Sequence, residues 1–176
     1  MGLFGFLFSR KKQKEFFLEW QKAVMPNSPE RIVMSYEQLK ASTVQQMKDG
    51  MRIIKDSFEI VQKTTKPDVF FSRLNLLSEK SNHLASLEQY ADFAGIKHGN
   101  FSEVQSSVSK SRNDLIKMFL VRYFSETFDK AEAMKTEKGR IGKYQKFYDS
   151  LKEYYLYMYS EHIEYIETKY KAYTKH

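Results

Sequence analysis

The amino-acid sequence predicts an all-α fold, an antiparallel bundle of four long helices preceded by a short N-terminal helix. Large apolar side chains recur every three or four residues over long segments, as they do on one face of a helix. The 176 residues include only 7 Gly and 3 Pro, which favours helices over turn-rich structures. No segment shows the alternation of period two that is typical of half-buried strands. We expect residues 1–27 to form an apolar tip, a basic collar and the short helix, and residues 28–176 to form the bundle domain.

The short N-terminal helix is predicted from about Lys12 to Met25, because a proline follows it. The first long helix is predicted to begin at the Ser-Pro-Glu triplet 28–30, which offers a capping serine, a proline at the first helical position and an acid in the first turn. Its apolar row passes Gly50 without a change of phase, so we expect one helix over 29–65. The residues of this row are Val44, Met47, Met51, Ile54, Phe58 and Val61.

The second long helix is predicted to begin at a reciprocal cap formed by Thr65 and Asp68 and to end at Gly95. The connection to the preceding helix is short, and short connections make antiparallel neighbours. Its apolar row has one polar position, Ser81. The apolar residues of this row are Phe70, Leu74, Leu77, Leu84, Leu87 and Ala91.

The third long helix is predicted to begin at a capping box formed by Ser102 and Gln105, and the fourth follows the glycine-containing turn at 135–143. The third row consists of Val104, Val108, Leu115, Phe119, Phe124 and Phe128, with Ser111 as a polar position. The fourth helix is expected to be continuous. Its predicted buried face consists of Ile141, Tyr144, Tyr148, Leu151, Tyr155, Met158, His162, Ile166 and Tyr170.

The segment TTKPDVFFSRLNLLSEKSNHL, which begins at residue 64, combines a Thr-Thr turn, a proline, paired phenylalanines, an arginine and a leucine-rich helix. In this respect it resembles a segment of uncharacterised helical proteins of Gram-positive bacteria and their mobile elements. The resemblance implies a helical hairpin and a bacterial source, and it implies no activity. The matched positions are Thr64, Thr65, Pro67, Phe70, Phe71, Arg73 and Leu77. Each of them has a structural explanation, so none is taken as a site residue.

Composition and charge exclude several classes of protein. The chain contains no Cys, which excludes disulfides and thiolate metal sites and is typical of a reducing compartment. The formal net charge is +7, but the cations are spread along the chain, whereas nucleic-acid-binding proteins usually concentrate them on one stripe. The longest apolar run, 3–8, is far shorter than the roughly 20 residues of a membrane-spanning helix. Cations follow this run instead of preceding it as in a secretory signal, so we expect a cytoplasmic protein.

Few residues have the types and spacing that catalysis or metal binding needs. A di-iron bundle places Glu three residues before His, and none of the 4 His has this spacing. Glu79 and His83 share a helix face, which fits either a metal pair or a simple exposed pair. His162 lies on an apolar row near Tyr155 and Tyr159, where a buried imidazole bonded to a tyrosine hydroxyl is the alternative to a ligand. Without a phosphate-binding glycine loop or a strand-borne nucleophile, we expect no enzyme, no metal and no cofactor.

The stretch YYLYMYSEHIEYIETKYKAY, which begins at residue 154, is rich in tyrosine. Aromatic side chains among cations can stack on unpaired bases, but glutamates interleave these tyrosines and would repel phosphates. The alternative is an amphipathic helix whose tyrosines bury their rings and keep their hydroxyls in water. Tyrosines all round a helix indicate that more than one face is covered, which favours an oligomer and makes a nucleic-acid partner an unlikely one.

The N-terminal sequence MGLFGFLFSRKKQK combines an apolar tip with a basic collar. The apolar residues are Leu3, Phe4, Phe6, Leu7 and Phe8, and the cations are Arg10, Lys11, Lys12 and Lys14. This order is typical of segments that enter an anionic membrane surface, and the alternatives are packing within the chain's own bundle, packing on a sister subunit and docking on another protein. We expect a non-enzymatic protein that self-associates or binds a protein partner through this N-terminal anchor, with an anionic membrane surface on the cytoplasmic face as the alternative.

Overall fold

A computed structural model describes residues 10–174, and within that range it contains six α-helices. The helices are α1 (Arg10–Val24), α2 (Tyr36–Lys63), α3 (Pro67–Ala94), α4 (Phe101–Glu132), α5 (Glu137–Lys152) and α6 (Ser160–Thr174). No strand occurs among these residues, and the predicted all-α class is confirmed. The prediction of a continuous fourth long helix is wrong, because two shorter helices, α5 and α6, take its place.

The described residues form two compact units. The first contains the described residues up to Ile53 together with Glu79–Ser106, and the second contains Ile54–Ser78 together with the described residues from Ser107 onward. The helix α1 belongs to the first unit, and α5 and α6 belong to the second. The other three helices contribute residues to both units, which are described separately below. The division into segments 1–27 and 28–176 stays a prediction.

In the first unit, the segment between α1 and α2 is an irregular loop, although the sequence predicts a helix from residue 29. The buried amide of Gln21 organises this loop. Its Oε1 accepts hydrogen bonds from the N–H groups of Val33 and Met34 at 2.7 and 3.2 Å, and its Nε2 donates to the carbonyl of Arg31 at 3.1 Å. A side chain of α1 thus satisfies backbone groups that a helix would pair internally, and the predicted helix start at 28–30 is wrong.

The helix α2 begins at Tyr36 because the residue before it makes a reciprocal cap. The N–H of Gln38 donates to the hydroxyl of Ser35 at 3.3 Å, and the N–H of Ser35 donates to Oε1 of Gln38 at 2.8 Å. This is the Ser-x-x-Gln capping box, and it lies downstream of the triplet on which the prediction rests. From Tyr36 the helix runs through Gly50 without interruption, as predicted.

The core of the first unit is built around Trp20, which is fully buried. Its indole ring stacks on Tyr90 of α3 with the ring centroids 6.0 Å apart, and its Nε1 donates to Oγ1 of Thr43 on α2 at 2.8 Å. One side chain therefore joins three helices. The other rings with centroids within 6.4 Å of the indole are those of Phe16, Phe17, Tyr36 and Phe93.

The buried face of α2 differs from the predicted apolar row. Met47, Ile54 and Val61 of that row are buried as predicted, but Met51 and Phe58 are 41% and 38% exposed. The small residues that are buried, at a spacing of seven, are Thr43, Gly50 and Ser57. Small side chains let a neighbouring helix approach closely, and a Cβ atom added to Gly50 would lie only 2.7 Å from Cδ2 of Leu84 on α3. At Gly50 the close helix contact, rather than side-chain hydrophobicity, selects the buried face.

Replacing Gly50 with alanine is expected to destabilise the protein, although alanine is the better helix former. The helix-propensity gain is about 1 kcal/mol, but the new methyl group overlaps the fully buried Leu84, and such overpacking costs about 1–3 kcal/mol. Gly142 on α5 is the matched control, because a Cβ atom there meets nothing within 4 Å. Gly142→Ala is expected to stabilise by about 0.5–1 kcal/mol. Urea denaturation followed by far-UV circular dichroism measures both changes, and equal stabilisation by the two would contradict the close contact at Gly50.

The apolar row predicted for α3 is buried at every position, as is its polar member Ser81. The helix ends at the predicted place. Gly95 adopts a φ of 61°, its N–H donates to the carbonyl of Asp92 at 3.1 Å, and the N–H of Ile96 donates to the carbonyl of Ala91 at 2.9 Å. This pair of bonds is a Schellman motif, for which glycine is preferred because it has no Cβ atom to oppose a positive φ.

The caps predicted for α3 and α4 are wrong by one or two residues. The helix α3 begins at Pro67, which makes Lys66 rather than Thr65 its capping position. The helix α4 begins at Phe101, one residue before the predicted Ser102. Its N-terminal N–H groups are satisfied by Asn100 and by a carboxylate of α3, Glu88, which accepts from the N–H groups of residues 101 and 102 at 3.1 and 3.2 Å. The sequence gives no sign of a cap supplied from another helix.

In the second unit, α4 contacts three other helices. Phe119 stacks on Phe70 of α3 with the ring centroids 4.1 Å apart, and Tyr123 donates its hydroxyl to the carbonyl of Phe147 on α5 at 2.9 Å. On another face of α4, Phe124 contacts a ring of α6 edge to face. These aromatic contacts position α5 and α6, and with them the turn that connects the two helices.

Candidate interaction surface

The turn between α5 and α6, which we call the aromatic turn (153–159), interrupts the helix that the sequence predicts over this region. One turn of 3₁₀-helix, Tyr155–Tyr157, lies within it. The N–H of Tyr154 donates to the carbonyl of Leu151 at 3.0 Å, a tighter pattern than that of an α-helix. No Gly or Pro occurs in the aromatic turn, so the sequence lacks the usual signal of a helix break.

Contacts to α3, α4 and α6 hold the aromatic turn in place. The ring of Tyr154 stacks on Phe71 with the centroids 4.8 Å apart and the planes inclined by 9°. The guanidinium of Arg112 donates to the carbonyl of Tyr157 at 3.5 Å, and the hydroxyl of Tyr155 donates to Oε1 of Glu167 at 3.1 Å. The conformation of the turn is thus set before any partner arrives.

The aromatic turn presents large apolar side chains to solvent. Leu156 is 96% exposed, and Tyr157 and Tyr159 are about half exposed. On α4, Lys117 Nζ lies 3.3 Å from Oε1 of Glu161 at the beginning of α6, which places this stretch of α4 beside the end of the turn. We call the three exposed side chains of the aromatic turn the turn surface, and they are Leu156, Tyr157 and Tyr159.

Many of the tyrosines that the sequence analysis singled out are used within the chain. The hydroxyls of Tyr148 and Tyr155 both donate to Oε1 of Glu167, at 2.6 and 3.1 Å, and the hydroxyl of Tyr144 donates to Oε1 of Glu132 at 2.6 Å. Burial is the main reason that the pKa of Tyr144 is raised to about 12, and it also raises the pKa of Tyr155. These phenols therefore remain protonated donors, and one glutamate of the tyrosine-rich stretch, Glu167, accepts hydrogen bonds from two of them.

His162 is buried, as the sequence suggests, but its partner is not a tyrosine hydroxyl. Its Nδ1 accepts a hydrogen bond from the backbone N–H of Tyr159 at 3.2 Å. Burial lowers the pKa of His162, so the ring is neutral near pH 7 and acts as an acceptor. In this role it fixes the junction between the aromatic turn and the first turn of α6.

The predicted N-terminal anchor is described only in part. Its apolar residues Leu3, Phe4, Phe6, Leu7 and Phe8 lie outside the described residues. Its cations Arg10, Lys11, Lys12 and Lys14 are exposed on α1. They occupy four of the first five positions of this helix, whose first turn contains no acidic residue.

The histidine pair considered for metal binding has a different role. His83 is half-buried, and its Nε2 lies 2.7 Å from Oε1 of Gln46 on α2. Burial lowers the pKa of His83. Over residues 10–174, no group of three or more His, Asp and Glu side chains is arranged to hold a metal ion. None of the helices in that range is both long enough and apolar enough to cross a membrane.

Comparisons with protein-family models, with curated proteins and with solved structures find no match to this chain. The function must therefore be argued from the side chains alone. The expected protein partner or homo-oligomer, the alternative of an anionic membrane surface, the absence of a nucleic-acid partner and the cytoplasmic location all stay predictions. The sequence does not indicate the turn surface, because its residues lie in a stretch that is predicted to form one continuous helix.

Proposed function

We propose that this protein is not an enzyme and that it acts by association with another protein chain, either a second copy or a different protein, through the turn surface. The observation that carries the proposal is the exposure of Leu156, which is 96%, on a turn fixed by stacking and hydrogen bonds. Single exposed apolar residues are common on protein surfaces. Three exposed large side chains on one fixed turn form the arrangement expected of an interface core.

The energetics of association favour such a surface. Burying a leucine side chain contributes about 2 kcal/mol, and tyrosines add large rigid areas of contact with few rotatable bonds. Because Tyr154 and Arg112 hold the turn in one conformation, little ordering entropy is lost on binding. The N-terminal anchor remains a second proposed contact, with Leu3–Phe8 as its apolar part and the cations of α1 as its charged part.

The test introduces a charge at the centre of the turn surface. Leu156→Glu is compared with Ile141→Glu, a matched control on the exposed side of α5, in light-scattering mass measurements over a range of concentrations. The wild type and Ile141→Glu are expected to gain mass with concentration, and Leu156→Glu is expected to stay monomeric. If the partner is a different protein, a photo-crosslinking residue at position 156 gives a product of defined mass in cells, and the same residue at position 141 does not. Absence of both signals would refute the proposal, and deletion of residues 1–8 tests the N-terminal contact separately.

The second candidate function is binding to an anionic membrane surface, and the exposed cations of α1 favour it. Each cation close to such a surface contributes about 1 kcal/mol, and Arg10, Lys11, Lys12 and Lys14 are close together at one helix end. Liposome flotation with and without anionic lipid tests this candidate. Flotation that is lost at high salt, and lost when the four cations are replaced by glutamine, would support a lipid partner, whereas flotation insensitive to anionic lipid would exclude it.

A further inference from the structure

The cap at the beginning of α6 is made by a titratable side chain. His162 is the third residue of this helix, and its Nδ1 accepts the N–H of Tyr159, the residue that precedes the helix, at 3.2 Å. At this position Glu or Gln is the usual acceptor for the capping residue's N–H. A carboxylate or an amide fills this role throughout the neutral and mildly acidic range. An imidazole fills it only while Nδ1 carries no proton.

The other ring nitrogen gives protonation little compensation. Because Nδ1 is an acceptor, the proton of the neutral ring is on Nε2, which is buried and makes no hydrogen bond of good geometry within residues 10–174. The backbone of Asn113 on α4 interacts with the ring only weakly. The nearest carboxylate oxygen, Oε1 of Glu161, lies 3.9 Å from Nε2 and only 3.3 Å from Nζ of Lys117. The carboxylate is thus shared with a lysine and is too distant for a hydrogen bond to the ring.

We propose that His162 is a pH-sensitive latch, which holds the aromatic turn closed while the ring is neutral and releases it when a solvent proton binds to Nδ1. The added proton converts Nδ1 from an acceptor into a donor. Two N–H groups, that of the ring and that of Tyr159, then face each other and repel. The first turn of α6 then loses its cap, and the junction with the aromatic turn opens. This proposal deepens the proposed function. It rests on that function only for its biological consequence, which is that opening of the aromatic turn would rearrange the turn surface.

Burial determines the direction of this effect, and the groups that face the ring modify it. Glu161 on α6 and the backbone of Asn113 on α4 favour the protonated ring, Lys117 on α4 opposes it, and the ring of Tyr159 lies 5.5 Å away, centroid to centroid. Burial is the largest contribution, and it lowers the pKa of His162 below the ordinary value of 6.5. An open turn therefore binds the proton more tightly than a closed one. The closed state has its full stability above pH 6.5 and loses it as the pH falls below that value.

The test follows the turn in the isolated chain by NMR between pH 7.5 and 5.0. The ring signals of His162 are expected to titrate below pH 6.5. In parallel, hydrogen exchange of the Tyr159 amide, corrected for its intrinsic pH dependence, is expected to accelerate at least tenfold. His98 is an internal reference, because its two ring nitrogens lie 2.6 and 3.0 Å from the acceptors Gly99 O and Asp92 Oδ1, and these hydrogen bonds raise its pKa above 6.5.

Two variants decide whether His162 is the cause. His162→Asn places an amide oxygen near the position of Nδ1 and cannot titrate, so protection at Tyr159 should no longer depend on pH. His83→Asn removes a half-buried histidine of the first unit and should leave the pH response intact. The proposal is wrong if His162 titrates at or above pH 6.5, if Tyr159 is equally protected at pH 7.5 and 5.0, or if His162→Asn keeps the wild-type response. These measurements use the isolated chain without a partner. A failure of the latch can therefore be distinguished from a failure of the proposed association.

Discussion

Replacing Trp20 with alanine is expected to lower the free energy of unfolding by about 3–5 kcal/mol, the range for removing a fully buried tryptophan. The side chain is 0% exposed and is the contact that α1, α2 and α3 have in common. Its loss leaves a cavity bordered by Tyr90, whose ring is parallel to the indole within 5°. It also removes the indole N–H that donates a hydrogen bond to Oγ1 of Thr43 at 2.8 Å. Since domains are stable by only about 5–15 kcal/mol, this variant should be close to unfolding.

Two further variants separate packing from hydrogen bonding. Trp20→Phe retains a ring in the cluster but loses the indole donor, so we expect a smaller cost of about 1–3 kcal/mol. Phe93→Ala removes a ring from the same cluster at a position that is 41% exposed, and it should cost less than half as much as Trp20→Ala. Urea denaturation followed by far-UV circular dichroism gives all three values. Because this is the only Trp in the chain, fluorescence would not serve here, and a cost below 1 kcal/mol for Trp20→Ala would contradict its central role.

The predictions that succeeded rest on local signals that the packing does not override. The row of α3 is buried at every position, because its apolar residues recur at helical spacing over the whole helix. Gly95 ends this helix as predicted, since a positive φ favours glycine in any surroundings. The all-α class follows from the same signals. These features depend on residues within one or two helical turns of each other.

The predictions that failed depend on residues far apart in sequence. Gln21 holds the loop before α2 from another helix, and Glu88 caps α4 from α3. On α2, a prediction based on large apolar residues places Met51 on the buried face. In the structure Gly50 is buried instead, because Leu84 of α3 approaches it closely. The contacts of Gln21 and Glu88 cannot be recognised in the local sequence. The small residues at a spacing of seven on α2, which include Gly50, are the one local sign of its buried face.

The candidate site illustrates the same limit. The tyrosine-rich stretch is predicted to lie on one continuous helix, whereas the structure divides it between the aromatic turn and α6. The break at the aromatic turn is stabilised by Phe71 and Arg112, which lie more than 40 residues away in sequence, and no Gly or Pro announces it. Once the chain turns there, Leu156 points into solvent and His162 becomes a cap. Both functional inferences therefore depend on a local structure that only the tertiary contacts specify.

Replacing Arg122 with methionine is the second change expected to have a large effect, about 2–4 kcal/mol of lost stability. Its guanidinium, on α4, donates to three carbonyl groups at the C-terminal end of α2. Nε donates to Thr64 at 3.1 Å, one terminal nitrogen donates to Val61 at 3.0 Å, and the other donates to Gln62. The last carbonyls of a helix have no partners within it, and a cation there also interacts favourably with the helix dipole. Methionine keeps the apolar stem but leaves all three carbonyls without this donor.

The planar shape of the guanidinium, more than its charge, should account for this contribution. A lysine ammonium is a compact charge that lacks the rigid fork of five donors, so Arg122→Lys is expected to recover less than half of the loss. Arg52→Met is the matched control, since that side chain is 71% exposed and pairs only with Asp49 of its own helix; such pairs contribute about 0.3–0.5 kcal/mol. Urea denaturation monitored by circular dichroism ranks the three variants. If Arg122→Lys is as stable as the wild type, then charge alone holds the end of α2, and the shared donation to three carbonyls is not what stabilises it.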